Sequence, residues 1–230
     1  KLSDYHILEI EIEFKEKPAA AAQDEPTYYE KIRKSEKFKE FCKEYDLGVE
    51  QLKGELNDIA TRNLPIDEEA LLSHTMSIIT KYTNKLQLFD MLHSLREFDD
   101  MTYAHSINVA LIASIIGQWL HYSEEDIRVL TLAGLLHDIG KVNIPADILK
   151  KPGKLTDEEY EIVKRHVNEG YDILKTQNID NRIKEGCVFH HEKCDGTGYP
   201  FGLKSEKIPV FAKIISIADV YDAMTAARSY

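Results

Sequence analysis

From Tyr28 to about Leu95, apolar residues recur at the three-to-four spacing of amphipathic helices. Ile32, Phe38, Phe41 and Tyr45, then Leu52, Leu56 and Ile59, fall roughly along one face, as do Leu71, Leu72, Met76 and Ile79, with Leu86 and Leu88 further on. Two or three helices packed on a core satisfy this pattern. So does a helical segment that transmits a signal or dimerises, and periodicity alone does not separate the two. From about Arg96 to Tyr230 the helical spacing continues, with start signals in order. Ser123-Glu124-Glu125-Asp126 and Thr156-Asp157-Glu158-Glu159 each place a hydroxyl at a candidate N-cap and a carboxylate three residues later, so each opens a helix. Asn143-Ile144-Pro145 and Lys151-Pro152-Gly153 interrupt the pattern between them, which predicts one helix over Val129 to Asp138 and another over Glu158 to Lys175. Only the first residues read differently. Leu8 to Phe14 alternates apolar and acidic positions, the signature of a half-buried strand that must pair with something, and residues 17 to 27 carry two prolines and no large apolar side chain, as a linker does. The expected organisation is a strand-like remnant and linker over 1–27, a helical segment over 28–95 and an all-α bundle over 96–230.

Composition narrows the classes. At 230 residues and 43% hydrophobic, the chain can bury a sizeable core. Its 29 Lys and Arg against 40 Asp and Glu leave a formal charge of -11, which excludes the broad basic surface that holds duplex nucleic acid. An anionic substrate must therefore be attracted locally. Three cysteines, Cys42, Cys187 and Cys194, with no C-x-x-C pair, suit a reducing, cytoplasmic compartment. The longest apolar stretch, Val109 to Leu120, is interrupted by Ser114, Gly117 and Gln118 and falls short of the roughly 18 residues of a membrane span. The chain begins at Lys1 and reads as a fragment.

The ionisable residues point to a site. His105, the pair His137-Asp138, His166, the pair His190-His191 and Asp219 are separated by 32, 28, 24 and 28 residues, about one per helix of an antiparallel bundle. His137-Asp138 ends the run Leu130 to Leu136, and Asp219 follows Ile214 to Ala218. A carboxylate carried inward on such segments is costly unless it is paired or binds a cation. Taken singly, each residue has a plainer reading. His105 could be a satisfied core or surface histidine, as His6, His74, His93 and His121 are taken to be; Asp219 and Asp222 could cap or pair, and Lys141 could be solvated. Two inward aspartates together with five imidazoles indicate a metal.

His137-Asp138-Ile139-Gly140-Lys141, the segment Lys154-Leu155-Thr156 leading to His166, the string from His190 to Pro200 and Ala218 to Thr225 with Arg228 together resemble an HD-GYP domain. That branch of the HD phosphohydrolase superfamily is known for cyclic dinucleotide phosphodiesterases. The likeness covers a little over half the chain. It implies an HD-type helical bundle that hydrolyses cyclic di-GMP to linear pGpG and onward to GMP. It further implies that His105, His137, Asp138, His166, His190, His191 and Asp219 ligate two divalent metals, with Asp138 bridging. Imidazole with carboxylate suits Fe, Mn or Zn, Fe or Mn being favoured here, whereas oxygen-rich Mg and Ca sites rarely use so many histidines. Two such ions about 3.5–4 Å apart can hold a bridging hydroxide and stabilise an in-line phosphoryl displacement. Catalysis then falls to Asp138 and Lys141, and substrate contact to Lys141, Tyr199, Asp222 and Arg228, with Glu192 and Asp195 orienting ligands and loop. One position departs from the pattern. Some members carry a glutamate four residues before the first histidine that helps bind a third metal; here Met101 stands there, and a thioether is a poor ligand for such cations. Two metals are therefore expected. The family domain also runs past the position of Tyr230. Three functions stay in view: the phosphodiesterase, a non-catalytic receptor or adaptor for the dinucleotide, and an HD phosphohydrolase for another nucleotide. A homodimer or an upstream sensory domain would complete the picture.

Overall fold

Helices begin where the sequence supplies caps. The structure, a computed structural model, describes residues 27–95 and 101–225, and among them every regular element is helical. Thr27 and Glu30 form a capping box at α1 (Tyr28–Arg33). Ser35, Asp67 and Asn84 cap α2 (Glu36–Arg62), α3 (Glu68–Lys81) and α4 (Lys85–Ser94) through their side chains. After α5 (Met101–Trp119), the two start signals read from the sequence are both used. Ser123 accepts from the Asp126 N–H at α6 (Glu124–Leu136), and Thr156 with Glu159 forms a full capping box at α8 (Asp157–Lys164), beyond the short α7 (Ala146–Leu149). Each such side-chain cap contributes about 1 kcal/mol. Then come α9 (His166–Leu174), α10 (Asn181–Phe189), opened by Asp180, and α11 (Val210–Thr225).

Helices α5 and α6 are the middle of the molecule. Ala110, Leu111, Ala113 and Ile115 on one, and Leu130, Leu132, Ala133 and Leu136 on the other, are almost wholly inaccessible. Their mutual contact is the most extensive between any two elements described, and α11, α10 and α3 pack around them. Each buried Leu or Ile contributes roughly 1.5–3 kcal/mol, which lets the bundle carry polar side chains inward. The apolar core continues without a break from Phe38 on α2 to Ala218 on α11.

Two helix boundaries differ from the pattern-based expectation, and both matter for chemistry. Helix α6 stops at Leu136, so Asp138 lies outside it, at the head of a 3-10 turn over Ile139–Asn143. The turn crosses α9 closely: a Cβ on Gly140 would sit 2.0 Å from the His166 carbonyl oxygen and 2.5 Å from the Gly170 nitrogen. Glycine is the residue that permits this contact. The expected helix from Glu158 to Lys175 breaks at Arg165, whose N–H bonds back to Ile162 at 3.1 Å, tightening the chain just before His166. Periodicity survives such a break because both halves keep helical angles. Among the described residues, no helix is long and apolar enough to cross a membrane. The strand-like segment of residues 8–14, Arg228 and the Met101 side chain lie outside the described residues.

Candidate metal centre

Helix ends converge on one point. His105 sits in the second turn of α5, His137 caps the C-terminus of α6, His166 begins α9, His190 caps α10 with His191 beside it, and Asp219 lies on α11. Between them is Asp138, 5% exposed, with His137, His166 and His190 at 0–1%.

Three of these imidazoles are oriented by one device. His137 Nδ1 lies 2.7 Å from the Gly134 carbonyl, His166 Nδ1 2.6 Å from that of Val163 and His190 Nδ1 2.8 Å from that of Cys187, each three residues upstream. A carbonyl only accepts, so Nδ1 bears a hydrogen and Nε2 is the nitrogen turned inward, the one that ligates when the ring is neutral. His105 is held differently: its Nδ1 lies 2.8 Å from Asp222 Oδ2 and its Nε2 3.1 Å from Asp219 Oδ1.

The inward nitrogens divide between the two oxygens of Asp138. On the Oδ2 side are His137 Nε2 at 3.1 Å and His105 Nε2 at 3.7 Å; on the Oδ1 side are His166 Nε2 at 3.3 Å and His190 Nε2 at 3.8 Å. Asp219 reaches across, its other oxygen 3.9 Å from His191 Nδ1. Two ligand groups with Asp138 in common follow: Asp138, His166, His190 and His191, and His105, His137 and Asp138.

Divalent metals fit this donor set. Among the described residues, His137 Nε2 and Asp138 Oδ1 are fully buried side-chain atoms that lack a hydrogen-bond partner, although ion-pair distances of 3.1–3.8 Å surround them. His166 Nε2 and His190 Nε2 also face each other at 3.4 Å. Buried atoms of this kind are costly unless a cation lies between them.

Electrostatics sets the two groups apart. Burial alone would lower His105, but Asp219 and Asp222 outweigh it and raise the imidazole to about 9. Burial, reinforced by neighbouring imidazoles, lowers His190 well below its ordinary value and His191 to about 4. Burial would raise Asp138 and Asp219, yet the surrounding histidines, with Lys141 in the case of Asp138, hold both carboxyls well below the usual range. Both are therefore anionic and able to ligate.

All seven residues expected as ligands are thus gathered in one cluster. Of the expected substrate contacts, Lys141 donates to Asp138 Oδ2. Asp222, also expected to contact substrate, is buried behind His105, where its carboxylate orients the imidazole from the far side. Tyr199 stacks on His191 with ring centroids 4.7 Å apart. Its loop is held from within: buried Glu192 accepts from the Phe201 and Leu203 N–H groups at 2.7 Å each, and Asp195 accepts from Thr197. A Cβ on Gly198 would sit 2.3 Å from the Lys193 nitrogen, so the loop closes this tightly only with glycine there. Tyr160 and Lys164 on α8, which border Tyr199, were not legible as site residues. Their only signal is a four-residue spacing on the helix that leads to His166.

A family model described as HD domain matches residues 64–230. A cyclic di-GMP phosphodiesterase of Pseudomonas aeruginosa is 43% identical over 137 residues, 59% of this chain and 33% of that protein. A 3'3'-cGAMP-specific phosphodiesterase of Vibrio cholerae is 33% identical over 188 residues, 81% of this chain and 35% of that protein. The chain therefore spans about a third of the length of these curated relatives. Among solved structures, an HDG"Y"P protein from Bdellovibrio bacteriovorus superposes with a TM-score of 0.58 at 21% identity, covering 76% of this chain and 59% of that one, a likeness of fold alone.

Proposed function

The chain belongs to the HD domain family, and within it to the HD-GYP type, and from that membership together with the geometry of the centre we propose that it is a metal-dependent phosphodiesterase for cyclic di-GMP. The observation that carries this reading is Asp138, whose two carboxylate oxygens each face a separate set of buried imidazoles. His105, His137, Asp138 and Asp219 would hold one ion and His166, His190, His191 and Asp138 the other, iron or manganese by the nitrogen-rich donor set. Bound there, two divalent ions lower the pKa of water and neutralise charge that develops on a transferring phosphoryl group.

The protein's own groups do the rest. Three backbone carbonyls accept from Nδ1 of His137, His166 and His190 and so turn their Nε2 atoms inward, and Asp222 does the equivalent for the orientation of His105. Lys141, tethered to Asp138, supplies a positive charge beside the place where a scissile phosphate lies. Burial raises the Tyr199 hydroxyl above its ordinary range, so the phenol stays neutral and can donate to a phosphate oxygen. Arg228 is proposed as a further substrate grip. In this reading residues 96–230 carry the activity, and the helices of 28–95 brace it or attach it to a partner, either a second copy or a sensory domain. The cysteines among the described residues are unpaired, which supports a cytoplasmic setting.

Metal-loaded protein incubated with cyclic di-GMP is expected to release linear pGpG and then GMP. Binding without any product would overturn the enzyme in favour of a receptor. The Vibrio relative's specificity for 3'3'-cGAMP supports a second reading in which a mixed cyclic dinucleotide is preferred. Relative kcat/KM for the two nucleotides separates them.

A further inference from the structure

Beside the centre, on the side of His191, two side chains of α8 that the metal chemistry does not use meet Tyr199. Tyr160 projects from α8 with 47% of its surface exposed and meets Tyr199 edge to face at 6.4 Å. Lys164, one turn later, has its ammonium 5.3 Å from the Tyr160 ring centre and 5.7 Å from that of Tyr199, while also pairing with Glu161. Tyr199 in turn stacks on His191. An unbroken line of rings therefore runs from the ligand imidazole to solvent, with a cation against its outer part.

An aromatic face left open beside a fixed ammonium is suited to a flat, electron-rich ring joined to an anion. Stacking on such a ring is tolerant of base identity, and a cation poised over it adds attraction for the attached phosphate. Resting on the phosphodiesterase reading, we propose that Tyr160 and Lys164 form the nucleobase platform of this site. A purine of the substrate stacks on the exposed Tyr160 face, and Lys164 draws in the phosphodiester that is not being cleaved. Tyr199 then links the platform to His191, so a seated base and a phosphate at the metals are read by adjoining groups. Neither α8 residue touches the reacting atoms, and they act on affinity and selectivity.

The test uses the metal-loaded full chain with cyclic di-GMP, measuring Kd calorimetrically and KM and kcat by product release. Tyr160→Leu, which keeps apolar bulk but removes the aromatic face, is expected to raise Kd and KM about tenfold with kcat changed by less than about twofold. Tyr160→Phe should restore both. Lys164→Met should raise Kd by about threefold and weaken its dependence on salt. Metal content should be unchanged in all three. Wild-type affinity and KM in Tyr160→Leu would overturn the platform and leave the phosphodiesterase standing. Weakened binding in Tyr160→Leu, alongside a wild type that yields no product, would sustain the platform and overturn the phosphodiesterase. A fall in kcat or metal content with KM unmoved would show Tyr160 to be a prop for Tyr199, and would also overturn the proposal.

Discussion

The two sides of Asp138 are built from the same residue type and behave in opposite ways. On the Oδ2 side, His105 lies between two carboxylates of α11 and holds its proton up to about pH 9. On the Oδ1 side, His190 and His191 face other imidazoles in a buried setting and lose theirs early, His191 at about 4. The difference comes from α11, whose Asp219 and Asp222 lie one turn apart and meet His105 at both nitrogens. Each tenfold change in an imidazole's affinity for its proton is worth about 1.4 kcal/mol, and at His105 the two carboxylates contribute more than burial removes. One side is thus open to cations at neutral pH, while the other must first release a proton.

The hardest way to break this comparison is to remove the residue that both sides share. Asp138→Ala is expected to lose both ions and all turnover, with helical content preserved by circular dichroism; one ion retained in elemental analysis would show the sides to be independent. Lys141→Ala should keep both ions and lower kcat by roughly 10²-fold, the effect of removing one preorganised charge. Metal loss in that variant would mean that the lysine is structural. Asp222→Asn should weaken one ion by about 10–100-fold and leave the other in place, as happens when a carboxylate behind a ligating histidine is lost. Equal weakening of both ions in a metal titration would erase the distinction between the sides.

The smallest effect is on chelator-treated protein, and its sign differs between the sides. For His105 the folded value of about 9 exceeds the unfolded 6.5, so its stabilisation is fully present below 6.5 and is lost as pH rises through about 9. For His191 the folded value of about 4 is below 6.5, so stability falls as pH drops from 6.5 towards 4. Chelated protein should therefore melt highest near pH ~6–7. Asp222→Asn should flatten the alkaline limb alone, as read from Tm against pH.

Much of the fold was legible in the sequence because caps are local. Ser123 and Thr156 make the hydrogen bonds that their spacing to Asp126 and Glu159 implied. The break at Arg165 and the exit of Asp138 from α6 were not legible, because helical periodicity carries no record of another helix pressing on Gly140. Asp222 illustrates the same limit in the site. Its neighbour in the motif, Asp219, faces the centre, and nothing in the string Ala218 to Thr225 says that a residue three positions on lies behind His105. Tyr160 and Lys164 carry ordinary helix-surface chemistry until packing sets them against Tyr199.

By itself, the sequence determined the kinds of donor present, their order along the chain and the helices that carry them. Residue chemistry and one-turn spacing are properties of short segments, so no long-range information is needed. Only the tertiary structure decided which oxygen of Asp138 each imidazole faces, which histidine holds a proton and which aspartate serves from behind. Those outcomes depend on distances between residues more than a hundred positions apart, such as His105 and Asp222. Coulombic and hydrogen-bond energies change steeply over the few tenths of an ångström that packing alone sets.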